Sequence, residues 1–136
     1  MNKYCIYETA TGLIRILMTI SHVPPIEMLQ NGEAYLELFT YDFNTDSEFY
    51  VLEGQLVPRP ILNSPPRTTI ISDGIDAVIW SAIPVGSKLI INTVSQGVIN
   101  DGEFVMTSNT PGIHHVLIEA PAPYKSGNWE ITVNAP

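Results

Sequence analysis

The chain has 136 residues, 45% apolar and only 15% charged, with fourteen acids against six bases for a formal charge of −8. That balance is the reverse of a disordered chain's. Its acidity repels phosphate backbones and anionic lipid headgroups, so neither nucleic acid nor membrane insertion is expected.

The length allows one ordinary domain or two very small ones. A single cysteine, Cys5, leaves no intramolecular disulfide to form. No apolar run is long enough to span a bilayer and no leader pattern opens the chain, so it is expected to be soluble when made.

The first predicted element is a hairpin. Strands at 3–8 and 13–21 flank Thr9-Ala10-Thr11-Gly12, whose glycine can take a positive φ. Ile14, Ile16, Met18 and Ile20 alternate with Arg15, Leu17, Thr19 and Ser21, a period of two that gives one wholly apolar strand face. Pro24 and Pro25 at one end and Asn31-Gly32 at the other frame a short helix within 23–32. A strand at 34–40 and a polar link at 42–48 follow. A second hairpin then pairs 49–52 with 55–59 through Glu53-Gly54.

The stretch Arg59-Pro60-Ile61-Leu62-Asn63-Ser64-Pro65-Pro66-Arg67 reads as a stiff connector, because three prolines cannot join a central sheet. The expected division is therefore a hairpin module at 1–62, a connector at 63–66 and a second domain at 67–136. Within the second domain, strands are expected at 68–72, 75–81, 88–93, 97–99, 103–107, 113–119 and 128–134. Turn signals separate them at Ser72-Asp73-Gly74, Pro84-Val85-Gly86, Asn100-Asp101-Gly102, Pro111-Gly112 and Ser126-Gly127-Asn128. Asn100-Asp101-Gly102 reads as a hairpin. Turns at this spacing predict a β-sandwich anchored by Trp80 and Trp129.

Chemistry is sparse. His114 and His115 are adjacent on a strand and point to opposite faces, and His22 is remote, so no zinc set of three or four ligands is expected. Asp73-Gly74-Ile75-Asp76 and Asn100-Asp101-Gly102-Glu103 fit turn chemistry better than a calcium loop. No Gly-x-Ser-x-Gly elbow is present and the acids are scattered, so no enzyme and no cofactor is expected. Cys5 reads as a small buried apolar residue. Aromatics, by contrast, are dense: Tyr35, Phe39, Tyr41, Phe43, Phe49 and Tyr50 fall within sixteen residues. An apolar strand face on so small a module asks for burial, and aromatic residues favour subunit contacts. The residues expected to anchor such a contact are Ile14, Ile16, Met18, Tyr35, Phe39 and Tyr41. The competing expectation is a carbohydrate-binding module that stacks sugars on Trp80, Trp129, Tyr124 or His115.

The order of motifs resembles small proteins of tailed bacteriophages and prophages. The N-terminal matches are Tyr4, Tyr7, Thr11-Gly12, Gly32-Glu33, Tyr50-Val51, Gly54 and Val57-Pro58-Arg59-Pro60. Those in the second half are Asp101-Gly102-Glu103, Thr110-Pro111-Gly112 and Ala122-Pro123-Tyr124, leading into Trp129-Glu130-Ile131-Thr132-Val133. The chain departs from the pattern at the helix and at Gly112-Ile113-His114-His115. The resemblance implies an immunoglobulin-like domain after the hairpin module, hence an all-β protein with one short helix. It also implies a virion part: a tail fibre, a spike or a tail-attached accessory. Such parts form homo-oligomers, often trimers, that contact other tail proteins and sometimes a host surface glycan.

Overall fold

The computed structural model describes residues 1–21 and 23–136, so His22 lies outside the described residues. The chain divides into two compact units, Met1–Pro60 and Ile61–Pro136. The protein is nearly all β.

In the first unit, β1 (Asn2–Glu8) is the centre of an antiparallel sheet ordered β2-β1-β3, with β2 at Ile14–Ile20 and β3 at Glu33–Leu38. Gly12 closes the β1–β2 hairpin at φ +78, and a Cβ there would also strike the Val51 carbonyl. The β2 alternation does not run unbroken. Ile6 pairs with Ile16 but Tyr7 pairs with Ile14, so Arg15 is an extra residue on β2, a bulge that reverses the facing of everything before it. Ile16 and Ile20 pack around Met18, Tyr4 and Ile6 on one face, while Ile14 joins Cys5, Tyr7 and Leu17 on the other. The apolar face expected to be continuous is therefore shared between two clusters.

Both faces are covered within the unit. Leu29 caps the Tyr4–Ile6 side. The second hairpin, β4 (Phe49–Leu52) with β5 (Gln55–Pro58), lays Val51 and Leu56 on the Cys5 side, held by Val51 N–H donating to the Gly12 carbonyl at 2.8 Å. Burying Val51 contributes about 1.5–3 kcal/mol, and the half-buried Leu29 and Leu56 contribute less. The helix expected within 23–32 shrinks to a single 3₁₀ turn at Ile26–Met28. Leu29 is already extended, which carries its side chain onto the sheet instead of continuing the helix. The one α-helical turn among the described residues, α1 (Thr45–Glu48), falls instead in the segment read as a polar link.

In the second unit, five strands form the sheet β6-β12-β11-β8-β9, and two more form β7-β10. Their ranges are Thr69–Ile71 (β6), Val78–Trp80 (β7), Ser87–Ile91 (β8), Val94–Ile99 (β9), Phe104–Met106 (β10), Gly112–Glu119 (β11) and Gly127–Asn134 (β12). All pairs are antiparallel except β6 with β12. Taking the seven strands in chain order as A′, B, C, C′, E, F and G, the sheets are A′GFCC′ and BE, the connectivity of an immunoglobulin-like sandwich. The core between the sheets gathers Ile70, Val78, Trp80, Val116, Ile118, Ile131 and Val133, each at most 2% exposed. Trp80 sits at its centre, 5.2 Å from Phe104 and 4.7 Å edge-on to Trp129, with its indole N–H donating to the Asn63 carbonyl at 3.0 Å.

Several sequence expectations change here. Asn100-Asp101-Gly102 is a crossover and not a hairpin, because β9 pairs with β8 while β10 pairs with β7. The strand expected at 88–93 ends in an unforeseen hairpin at Asn92-Thr93, both at positive φ. The strand expected at 75–81 contracts to β7, since the Asp73 carboxylate accepts from the amides of Ile75 and Asp76 and holds them in a turn. The connector also belongs to the second unit: Leu62 is buried in its core and Asn63 caps Trp80.

Candidate contact surface

Of the six side chains expected to anchor a contact, Met18 is buried, and Ile14, Ile16, Tyr35 and Tyr41 are half-buried within the first unit's own clusters. Tyr35 meets Tyr4 edge-on at 5.8 Å. Phe39 differs from all of these in being 98% exposed. Phe43, four residues on, is 88% exposed. Five of the six thus pack within the unit, one buried and four half-buried, and Phe39 points outward beside Phe43.

These two phenylalanines stand on an ordered loop. Tyr41 between them turns inward against the Cys5 cluster, and its hydroxyl shares a 2.8 Å hydrogen bond with Thr19 Oγ1. On the far side, Asp42 N–H donates to Thr45 Oγ1 and Thr45 N–H to the Asp42 carbonyl, while Asn44 N–H donates to the Asp42 carboxylate. Thr45 itself is buried. The alternation Phe39-Thr40-Tyr41-Asp42-Phe43 thus places one aromatic inside as a foot and two outside. Scattered exposed aliphatics are normal on a protein surface; two fully exposed phenylalanines on a braced loop are the kind of feature that marks a contact.

The 23–32 segment is tied down beside this sheet. Arg15 Nε and Nη2 bind the two Glu33 carboxylate oxygens at 2.6 and 3.0 Å, and Nη2 also reaches the Met28 carbonyl. The Arg15 guanidinium, with the Gln30 amide, holds the Glu33 carboxyl below its ordinary range. The bulge that displaces Arg15 from the β2 alternation is what frees it for this fork.

Other candidate groups are occupied structurally. The Cys5 thiol is fully buried and pushed up to about 11 by burial, the opposite of what a reactive thiolate needs. His114 Nε2 donates to the Thr110 carbonyl and its Nδ1 accepts from Asn92 Nδ2, while Asn92 Oδ1 accepts from the His115 amide. This polar chain pins the Asn92-Thr93 turn onto β11. His115 lies on the opposite, exposed face, 3.8 Å from Glu130. Of the four expected sugar platforms, Trp80 is buried, Trp129 and Tyr124 pack against the core, and His115 alone is outward. Among the described residues, no three His, Cys, Asp or Glu side chains converge as metal ligands. No described helix is long and apolar enough to cross a membrane.

Searches of family models, of curated proteins and of solved structures returned no match to this chain.

Proposed function

We propose that this protein is a non-enzymatic structural component of a tailed-phage virion, a tail fibre, spike or tail-attached accessory, that assembles through its first unit and displays an immunoglobulin-like sandwich. The virion part of this reading is supported by the order of motifs from Tyr4 to Val133. The assembly part is supported by one observation: the braced loop that holds Phe39 and Phe43 in solvent. Burying a phenylalanine contributes about 1.5–3 kcal/mol, so a contact that covers both gains about 3–6 kcal/mol from these side chains alone. That is the share a few aromatic anchors supply in a stable interface. The anchoring set is accordingly centred on Phe39 and Phe43, with Tyr41 as their support and Ile14 in the same cluster beneath, while Ile16, Met18 and Tyr35 pack on the opposite face of the sheet.

The test is native mass by light scattering, for the wild-type chain and for Phe39→Ser/Phe43→Ser. A closed homo-oligomer, a trimer for a fibre-like part, that falls to a 15.0 kDa monomer with unchanged circular dichroism is the expected result. A wild-type chain that stays monomeric at high concentration, or a double variant that assembles normally, overturns the homo-oligomeric reading. The virion assignment is tested separately, by immunogold labelling of particles released from the cells that make the protein; particles that carry none of the chain overturn it.

A further inference from the structure

The two seams of the sandwich are finished differently. Where β6 faces β7, the seam is closed. Leu62 is inserted into the core, Asn63 takes the Trp80 indole, and the Asp76 carboxylate accepts from the Ile71 amide. Arg67 completes the closure, donating to Asp76 at 2.7 Å and to the Thr69 carbonyl at 3.2 Å. Two edge groups of β6, the Ile71 N–H and the Thr69 carbonyl, are thereby taken up by the chain itself, a usual way of protecting a sheet edge.

Where β9 faces β10, nothing plays these parts. A hollow of about 340 Å³ opens there, floored by Leu89, Ile99 and Phe104 and flanked by Gly97, with Asp101 and Glu103 exposed at its rim. A Cβ built on Gly97 meets no atom within 4 Å. Every residue of β9 except Ile99 is exposed, and Val105 of β10 is 55% exposed. The edge of β9 is interrupted by a bulge, since Leu89 pairs with Gly97 and Ile90 with Ser95, leaving Gln96 over. The free edge of β10 has no such bulge and pairs with β7 on its other side only.

We propose that this open seam receives an extended segment of a partner protein, added as a strand along β10. The segment would alternate apolar side chains, which enter the hollow as Leu62 enters the opposite seam, with basic ones that meet Asp101 and Glu103. Strand addition supplies main-chain hydrogen bonds, and alternate pockets supply selectivity. The charge of the site chooses the occupant: a second copy of a chain with a formal charge of −8 would bring acids to an acidic rim, whereas a basic strand is attracted. The inference concerns the second unit and stands independently of the assembly proposed through Phe39 and Phe43.

The experiment titrates the full-length chain with acetyl-(Lys-Val)₃-amide and, separately, acetyl-(Glu-Val)₃-amide, reading backbone amide shifts and hydrogen exchange. The expected result is shift changes confined to Leu89 and 96–106, and slowed exchange at Phe104–Met106, with the lysine peptide alone. Asp101→Asn/Glu103→Gln should weaken that binding about two- to fivefold per acid removed. The proposal is overturned if neither peptide perturbs these amides, if both do so equally, or if the variant binds as the wild type does. Shifts spread over the first unit instead of the seam overturn it as well.

Discussion

Leu62 offers the sharpest test of the claim that the proline-rich stretch is part of the second core and not a spacer. The side chain is 7% exposed and lies in the same cluster as Trp80, while its neighbour Ile61 is 74% exposed. Leu→Ala at buried sites costs about 2–5 kcal/mol, depending on how far the surroundings collapse. Leu62 sits on an irregular strap fixed next door by a single hydrogen bond from Trp80, so the strap can relax, and the expected loss is about 2–3 kcal/mol. A unit of this size has a total stability of roughly 4–11 kcal/mol, so the loss is a large fraction of it. Both tryptophans, Trp80 and Trp129, belong to the second unit, so tryptophan fluorescence during urea unfolding reports that unit alone. With a slope of about 1–1.5 kcal/mol per molar urea, the midpoint of Leu62→Ala should fall by roughly 1.3–3 M with the slope unchanged. Ile61→Ala should stay within about 0.5 kcal/mol of wild type. A Leu62→Ala chain that unfolds with the Ile61→Ala control would return the strap to the status of a linker.

Two further expectations concern charge and backbone strain in the same unit. The Arg67 guanidinium, helped by the Ile71 amide, holds the Asp76 carboxyl below its ordinary 3.8; a depressed carboxyl stabilises the fold above the unfolded value and loses that contribution as pH falls through the folded one. The fluorescence-monitored midpoint should therefore decline as pH drops below about 4, and Asp76→Asn should flatten part of that decline; superimposable pH profiles would show the pair to be idle. Thr93 is a β-branched residue held at φ +68 in a two-residue turn, a conformation that costs an L side chain about 1 kcal/mol or more. Thr93→Gly should raise stability by about 0.5–1 kcal/mol after the flexible residue's entropy is subtracted, and a lowered urea midpoint would mean that the turn is not strained.

Where a turn carried its own glycine, its place was readable. Glu53-Gly54 and Gly12 demand positive φ, and the hairpins closed where expected. The contraction of the 75–81 strand has a local cause, the Asp73 carboxylate two and three residues away, but for the other misread turns the deciding partner was far away in sequence. Asn92-Thr93 contains no glycine and Thr93 favours strand, yet Asn92 turns the chain because its side chain is held by residues 114 and 115 on another strand. Asn100-Asp101-Gly102 announces a turn but cannot announce which sheet the chain enters afterwards. The Arg15 bulge is invisible to a period-of-two count, since Ile14, Ile16, Met18 and Ile20 alternate correctly on paper. As for the contact surface, aromatic density marked the region, but only the bracing of Tyr41 and Thr45 separates the outward Phe39 and Phe43 from their inward neighbours.

The bulge at Arg15 has a consequence for how the first unit comes apart. It moves Ile14 onto the Cys5 face, joining one of the unit's two small clusters, which lie back to back on β1: Tyr4 and Ile6 look one way, Cys5 and Tyr7 the other. Neither cluster can dissolve while β1 keeps both of its hydrogen-bonded neighbours, and neither survives once β1 leaves. Two cores too small to persist separately are thus made into a single cooperative transition by one seven-residue strand.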